Sequence, residues 1–76
     1  MEIKVLGMGC AKCKKLEQIV TSYVSEKGLD ATIDKVEDLN DIMAYGMVRT
    51  PALVVDGQVV LQGRLPRAKE LSKYIG

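Results

Sequence analysis

The residues best suited to chemistry are Cys10 and Cys13, the only two cysteines in the chain. They lie three positions apart in the stretch Gly7-Met8-Gly9-Cys10-Ala11-Lys12-Cys13. Two sulfurs at positions i and i+3 of a first helical turn are close enough to join and separate without moving the fold. The spacing therefore indicates a couple that alternates between dithiol and disulfide.

This motif falls where a predicted strand meets a predicted helix. Ile3 and Val5 alternate with polar residues over Glu2 to Leu6, which is typical of a strand. Gly7 and Gly9 are expected to let the backbone turn sharply. From Cys13 onward the apolar positions follow the spacing of one helix face: Leu16, Ile19, Val20, Tyr23 and Val24.

The position of each cysteine at this junction predicts its environment. Unpaired N–H groups and the helix dipole stabilise a thiolate at a helix start, and Lys12, Lys14 and Lys15 add positive charge nearby. We therefore expect Cys10 to be the exposed sulfur, with a pKa below that of free cysteine. Cys13 belongs to the apolar stripe and is expected to be buried.

The rest of the chain predicts the order β-α-β-α-β-β-α, with the first two strands parallel. Gly28 should end the first helix, and residues 29–36 should form the second strand. Asp38 resembles an N-cap of a second helix that ends at Gly46 and buries Leu39, Ile42 and Met43. Asp56-Gly57 predicts a hairpin between the strands at 52–55 and 58–61. Pro66 is expected in the first turn of a last helix, which should bury Ala68, Leu71 and Ile75. We also expect Tyr23, Met43 and Met47 to lie in the core.

Length and composition narrow the range of functions. The 76 residues predict one domain, 1–76, and the net charge of +1 argues against nucleic acid or a membrane surface as partner. The start of the chain lacks the features of a signal peptide, and no apolar run reaches membrane-span length, so we expect a cytoplasmic protein. The chain has no His, which excludes His-based metal sites and Cys–His nucleophile pairs.

The chain resembles the thioredoxin fold in three features. These are the order of its elements, the Cys-x-x-Cys at the first strand–helix junction and Thr50-Pro51 before the third strand. The similarity is greatest to the minimal thioredoxin-like and glutaredoxin-like redox-active disulfide proteins of archaea and bacteria. Their motifs match residues 9–15 and 50–54 here, and the resemblance spans nearly the whole chain. It implies an α/β fold with a mixed four-stranded sheet flanked by three helices.

The resemblance also implies roles for particular residues. Cys10 would be the nucleophile that attacks a substrate disulfide, and Cys13 would resolve the mixed disulfide. Pro51 would be a cis-proline beside the sulfurs, and backbone groups around Thr50 would receive an extended substrate chain. The implied enzyme is a thiol–disulfide oxidoreductase that needs no dissociable cofactor.

Partners and neighbouring charges complete these expectations. The partners would be protein disulfides, together with a thiol reductase or a low-molecular-weight thiol as electron donor, and we expect a monomer. Lys12 and Arg49 are expected to contribute to the substrate site, against the alternative that they are solvated surface charges. The chain has no clear counterpart of the buried acid behind the thioredoxin motif, because Glu2 and Lys4 fall on the polar side of the first strand.

Two other functions are open at this point. Met8, Cys10 and Cys13 also match the Met-x-Cys-x-x-Cys loop of copper-chaperone-like domains, and two thiolates suit Cu(I). Those domains have the order β-α-β-β-α-β, however, and Thr50-Pro51 has no role in them. The other alternative is a binding module that keeps the fold without turnover.

Overall fold

A computed structural model describes residues 1–9 and 11–75 of the chain. In this part of the chain the order β-α-β-α-β-β-α is confirmed. The elements are β1 (Glu2–Leu6), α1 (Ala11–Lys27), β2 (Thr32–Val36), α2 (Leu39–Met43), β3 (Ala52–Val55), β4 (Gln58–Gln62) and α3 (Ala68–Tyr74). Of the helices described, none has the length and apolar character that crossing a membrane requires.

The strands form a mixed sheet in the order β2-β1-β3-β4. β1 pairs in parallel with β2, as predicted, and antiparallel with β3. Every residue of β3 is buried, because this inner strand is covered on both faces. Its register with β1 sets Leu6 opposite Ala52, which brings the end of β1 and the start of β3 to the same edge of the sheet.

The two faces of the sheet are covered by different helices. Ile3 and Val5 of β1 pack with residues of α1 and α3, including Leu16, Val20 and Leu71. Leu6 and the alternate residues of β3 point to the other face, where they pack with Ile42 of α2. These two apolar layers fix the end of β1 between α1 and α2, which is where the Cys-x-x-Cys motif begins.

Local turn signals account for two of the connections. Asp56 and Gly57 both have positive φ (49° and 85°), as a two-residue hairpin requires, and join β3 to β4. Gly28 ends α1 with φ 62°, and the Leu29 N–H donates to the C=O of Val24 at 3.1 Å. Leu29 therefore belongs to the helix cap, so the second strand begins at Thr32 and the prediction that it starts at residue 29 was wrong.

The prediction for the interior face of α2 was wrong for most of its residues. Asp38 is the N-cap, as expected, and its Oδ1 accepts the N–H of Asn40 at 2.8 Å. The helix is only five residues long, so Ile42 alone is buried. Leu39, Met43 and Met47 are exposed, which corrects the expectation that they fill the core.

The last helix starts later than predicted. Its first residue is Ala68 and its N-cap is Arg67, so Pro66 precedes the helix and is not part of its first turn. Ala68 is exposed, contrary to expectation, whereas Leu71 and Ile75 are buried as predicted. The helix turns these two residues toward the sheet, and its first turn remains in solvent.

An ion pair holds the loop before α3. Both guanidinium N–H groups of Arg64 donate to the carboxylate of Glu70, at 2.7 and 2.5 Å. Glu70 also accepts the N–H of Arg67 at 3.4 Å. The hydrogen bonds from Arg64 are the main reason that the pKa of Glu70 falls from 4.5 to about 2. Desolvation has a smaller effect, which raises this pKa.

The observed order of elements also bears on the copper-carrier alternative. The hairpin comes after the second helix, and α3 follows the last strand. Copper-chaperone-like domains would need the order β-α-β-β-α-β, so the chain does not have their fold.

The Arg64–Glu70 pair predicts a pH dependence of stability. Because the pKa of Glu70 is lower in the folded state, its stabilisation is complete above about pH 4.5 and is lost as the pH falls toward 2. Urea unfolding of the wild type and of Glu70→Gln should therefore differ at neutral pH and converge in acid. Arg64→Gln should show the same convergence, and a difference that is constant with pH would contradict the pairing.

Candidate redox site

The side chain of Cys13 lies directly against the backbone of Gly7. A Cβ added at Gly7 would overlap the Sγ of Cys13 and would come within 2.8 Å of its Cβ. Gly7 is buried, and its N–H continues the β1–β2 pairing by donating to the C=O of Val36 at 3.0 Å. Gly7 is therefore needed for this close approach, whereas Gly9, with φ 82°, makes the expected turn.

The same pairing brings Pro51 next to Gly7. Leu6 pairs with Ala52, so Gly7 and Pro51 are the next residues of the two antiparallel chains. The Thr50–Pro51 bond is cis, as predicted, and Pro51 is buried. The sheet thus brings Pro51 next to Gly7, against which the side chain of Cys13 packs.

Backbone hydrogen bonds hold the segment around Pro51 to the end of β4. The N–H of Gly63 donates to the C=O groups of both Arg49 and Pro51, at 3.0 and 2.9 Å. The N–H of Arg49 donates to Oε1 of Gln62 at 2.9 Å. The exposed Thr50 lies between these two anchored residues.

The predicted site residues lie in different surroundings. Cys10, the predicted nucleophile, lies outside the described residues. Cys13 is buried in the first turns of α1, as its place on the apolar stripe predicted. Thr50 and Arg49 line one groove with Met8 of the motif loop, while Lys12 is exposed and is not among the described residues that line it.

Sequence reasoning missed a group of charged residues behind Cys13. A cavity of about 80 Å³ is lined by Cys13, Gly7 and Lys14, and on its far side by Lys35 and Glu37 near the end of β2. A water molecule in the liquid occupies about 30 Å³, so the cavity is large enough to hold water. Cys13 and the carboxylate of Glu37 thus line the same cavity.

A second carboxylate joins this group from α1. Glu17 lies one helical turn after Cys13, and its shielded Oε2 is 3.3 Å from the ammonium of Lys35, although not in hydrogen-bonding geometry. Lys35 is also 4.0 Å from Glu37. The pairing joins a helix to an edge strand, so no local pattern in the sequence could have indicated it.

An open groove borders the motif loop at Met8. It measures about 520 Å³ and is mostly apolar. Its described lining runs from Met8 along α2 to Arg49 and Thr50, and includes Met43 and Met47. Cys13 thus lines a small cavity whose lining includes charged residues, and the loop that contains Met8 borders an open apolar groove.

Metal binding receives no support from the described residues. They contain no group of three or more His, Cys, Asp or Glu residues arranged to hold a metal ion. A buried sulfur close in the chain to a loop that borders an open groove is an arrangement suited to sulfur exchange.

Comparisons with known proteins agree with this geometry. The model of the thioredoxin domain family matches residues 1–76. A protein named thioredoxin from Methanothermobacter thermautotrophicus is 35% identical over 75 residues, which covers 99% of this chain and 97% of the relative. Another protein of that name, from Methanocaldococcus jannaschii, is 37% identical over 73 residues and covers 96% and 84% of the two chains.

The contact between Gly7 and Cys13 predicts an energetic coupling. Gly7→Ala should lower the free energy of unfolding by about 1–3 kcal/mol, because the added methyl group overpacks against the Cys13 side chain. In a Cys13→Ala background the nearest clashing atom is gone, so the same substitution should cost clearly less. Urea unfolding of the four proteins measures this coupling, and equal losses in both backgrounds would show that the close approach is absent.

Proposed function

This chain belongs to the thioredoxin domain family, and we propose that Cys10 and Cys13 are the sulfurs through which it acts. The chain is a thiol–disulfide oxidoreductase of the thioredoxin type. The observation that carries the assignment is the position of Cys13, buried against Gly7 at the point where β1 meets the segment of Pro51. The burial of Cys13 supports Cys10 as the sulfur that acts in the first step.

The reaction proceeds by two exchanges of sulfur. The Cys10 thiolate attacks one sulfur of a substrate disulfide, so that a mixed disulfide forms and the other substrate sulfur leaves as a thiolate. Cys13 then loses its proton and attacks the Cys10 sulfur, which releases the second substrate thiolate. The substrate gains two electrons, and the protein is left with a Cys10–Cys13 disulfide.

The surroundings of Cys13 support its role as the resolving sulfur. Its burial shields it from a bulky substrate, so an incoming disulfide would meet Cys10 first. Glu37 and Lys35 line the cavity behind Cys13, where a carboxylate can take up the proton that Cys13 must lose. The sulfur pair itself carries the electrons, and the exchange needs no dissociable cofactor.

The substrate would lie along the segment before β3. Thr50 is exposed while its neighbours are held by Gly63 and Gln62, so its backbone offers a fixed edge to an extended chain. Arg49 lines the adjoining groove and would contact the substrate there. Lys12, exposed on the first turn of α1, would lie on the side of the substrate nearer the sulfurs.

We further propose the setting in which this reaction takes place. Residues 1–76 would form one thioredoxin-like domain that acts as a monomer in the cytoplasm. Its substrates would be protein disulfides, and a thiol reductase or a low-molecular-weight thiol would return the Cys10–Cys13 disulfide to the dithiol. Neither nucleic acid nor a membrane surface is required.

A matched pair of variants tests the two roles. Cys13→Ser lacks the resolving sulfur, so it should accumulate mixed disulfides on Cys10 after exposure to cell extract. Cys10→Ser retains only the buried sulfur and should trap almost nothing. Non-reducing gels and mass spectrometry measure the adducts and their position.

Two results would contradict these assignments. Adducts mainly on Cys10→Ser would show that the roles are reversed. The absence of adducts on both variants would contradict the exchange mechanism itself.

A further inference from the structure

Three of the four methionines in this chain lie in one groove. Met8 and Met43 are 64% and 61% exposed, and Met47 is fully exposed. We call this surface the methionine groove and define it by its described lining, which is Met8, Leu39, Ile42, Met43, Gly46, Met47, Val48, Arg49 and Thr50.

The groove has the character of a docking surface. Large exposed apolar side chains that cluster in one place are typical of interaction sites. Methionine is flexible and polarisable, so a surface rich in it can adapt to partners of different shape. The core does not require these side chains, because Ile42 alone joins α2 to the sheet.

The place and charge of the groove indicate its occupant. It is continuous with the proposed redox site, since Met8 comes two residues before Cys10 and Thr50 comes directly before Pro51. Arg49 is the charged residue of its described lining. A substrate segment beside the reacting disulfide would therefore carry apolar side chains for the groove and an acidic side chain for Arg49.

As an inference that rests on the proposed function, we propose that the methionine groove binds the apolar, acidic segment beside a protein substrate's disulfide, and that peroxide oxidation of its thioethers weakens this binding. The groove would thereby separate protein substrates from small disulfides. Peroxide increases the amount of protein disulfide, and the same peroxide would lower the activity of the enzyme toward protein substrates.

The oxidation step is balanced by the peroxide. A methionine sulfur attacks one oxygen of hydrogen peroxide, so that an S–O bond forms, the O–O bond breaks and water leaves. The sulfur loses two electrons, which the peroxide gains. The resulting sulfoxide is polar, and it is not reduced by the dithiols that reopen a disulfide.

The test compares three synthetic peptides that each carry a disulfide. The cysteine is followed by Leu and Glu in the first, by Leu and Lys in the second, and by Gly and Ser in the third. Reduction rates are measured with excess dithiothreitol, with the spontaneous reaction subtracted. The wild type should prefer the Leu–Glu peptide to both others.

Paired variants isolate the methionines. Met43→Gln/Met47→Gln imitates the polarity of the sulfoxide and should lower the preference for the Leu–Glu peptide over the Gly–Ser peptide about tenfold. Met43→Leu/Met47→Leu keeps the surface apolar and should retain most of that preference. Ala68→Gln changes an exposed apolar residue outside the described lining and should leave the preference at its wild-type value.

Peroxide treatment then tests the oxidation step. The disulfide form of each protein is treated with hydrogen peroxide, which is removed by catalase, and mass spectrometry counts the added oxygens. The wild type should lose most of its preference and the leucine pair should lose little of it.

The outcomes separate this inference from the proposed function. The inference would be overturned if the glutamine pair kept the wild-type preference for the Leu–Glu peptide. It would also be overturned if peroxide lowered that preference equally in the wild type and the leucine pair. In both cases continued reduction of the Gly–Ser peptide would leave the proposed function intact. Failure of the untreated wild type to reduce any of the peptides would overturn the proposed function, and the inference with it.

Discussion

The close approach of Cys13 to Gly7 is the constraint on which the site depends. The side chain of Cys13 occupies the space that a Cβ at position 7 would fill, so α1 can lie this near to the end of β1 only because residue 7 is glycine. The register of β1 with β3 then places Pro51 beside the same point. One contact between a helix and a strand end thus fixes the buried sulfur relative to the surface on which a substrate would lie.

A small cavity and an open groove lie near this contact. Behind Cys13, Lys35 links Glu17 to Glu37 around a small cavity. In front of the motif loop, the groove is apolar and open. In the proposed reaction Cys13 would lose its proton beside these charged groups, and a partner would bind a surface that gains from losing water. The division follows from the fold, because β2 and α1 border the cavity while α2 borders the groove.

Several features that depend on neighbouring residues could be predicted from the sequence. Asp38, Asp56-Gly57 and Gly28 act in the turns and caps that their residue types indicate, and Cys13 is buried because it shares the apolar stripe of α1. The errors arise partly at the ends of elements, where Leu29 joins the cap of α1 and Pro66 precedes α3, and partly from how the elements pack. Met43 and Met47 are exposed because α2 is too short to turn more than Ile42 toward the sheet. Gly7 was expected only to allow a turn, since its contact with Cys13 depends on how α1 packs against β1.

The central claim is that Cys10 and Cys13 form a single two-electron couple. It is tested most directly by equilibrating the protein with mixtures of reduced and oxidised dithiothreitol, alkylating the remaining thiols and counting the labels by mass spectrometry. Both cysteines should become protected together in one transition. Within it, the ratio of disulfide to dithiol protein should change tenfold for each change of about 30 mV in the potential of the dithiothreitol mixture. Protection of one cysteine without the other, or a lasting adduct with the reagent in place of an internal disulfide, would contradict the account.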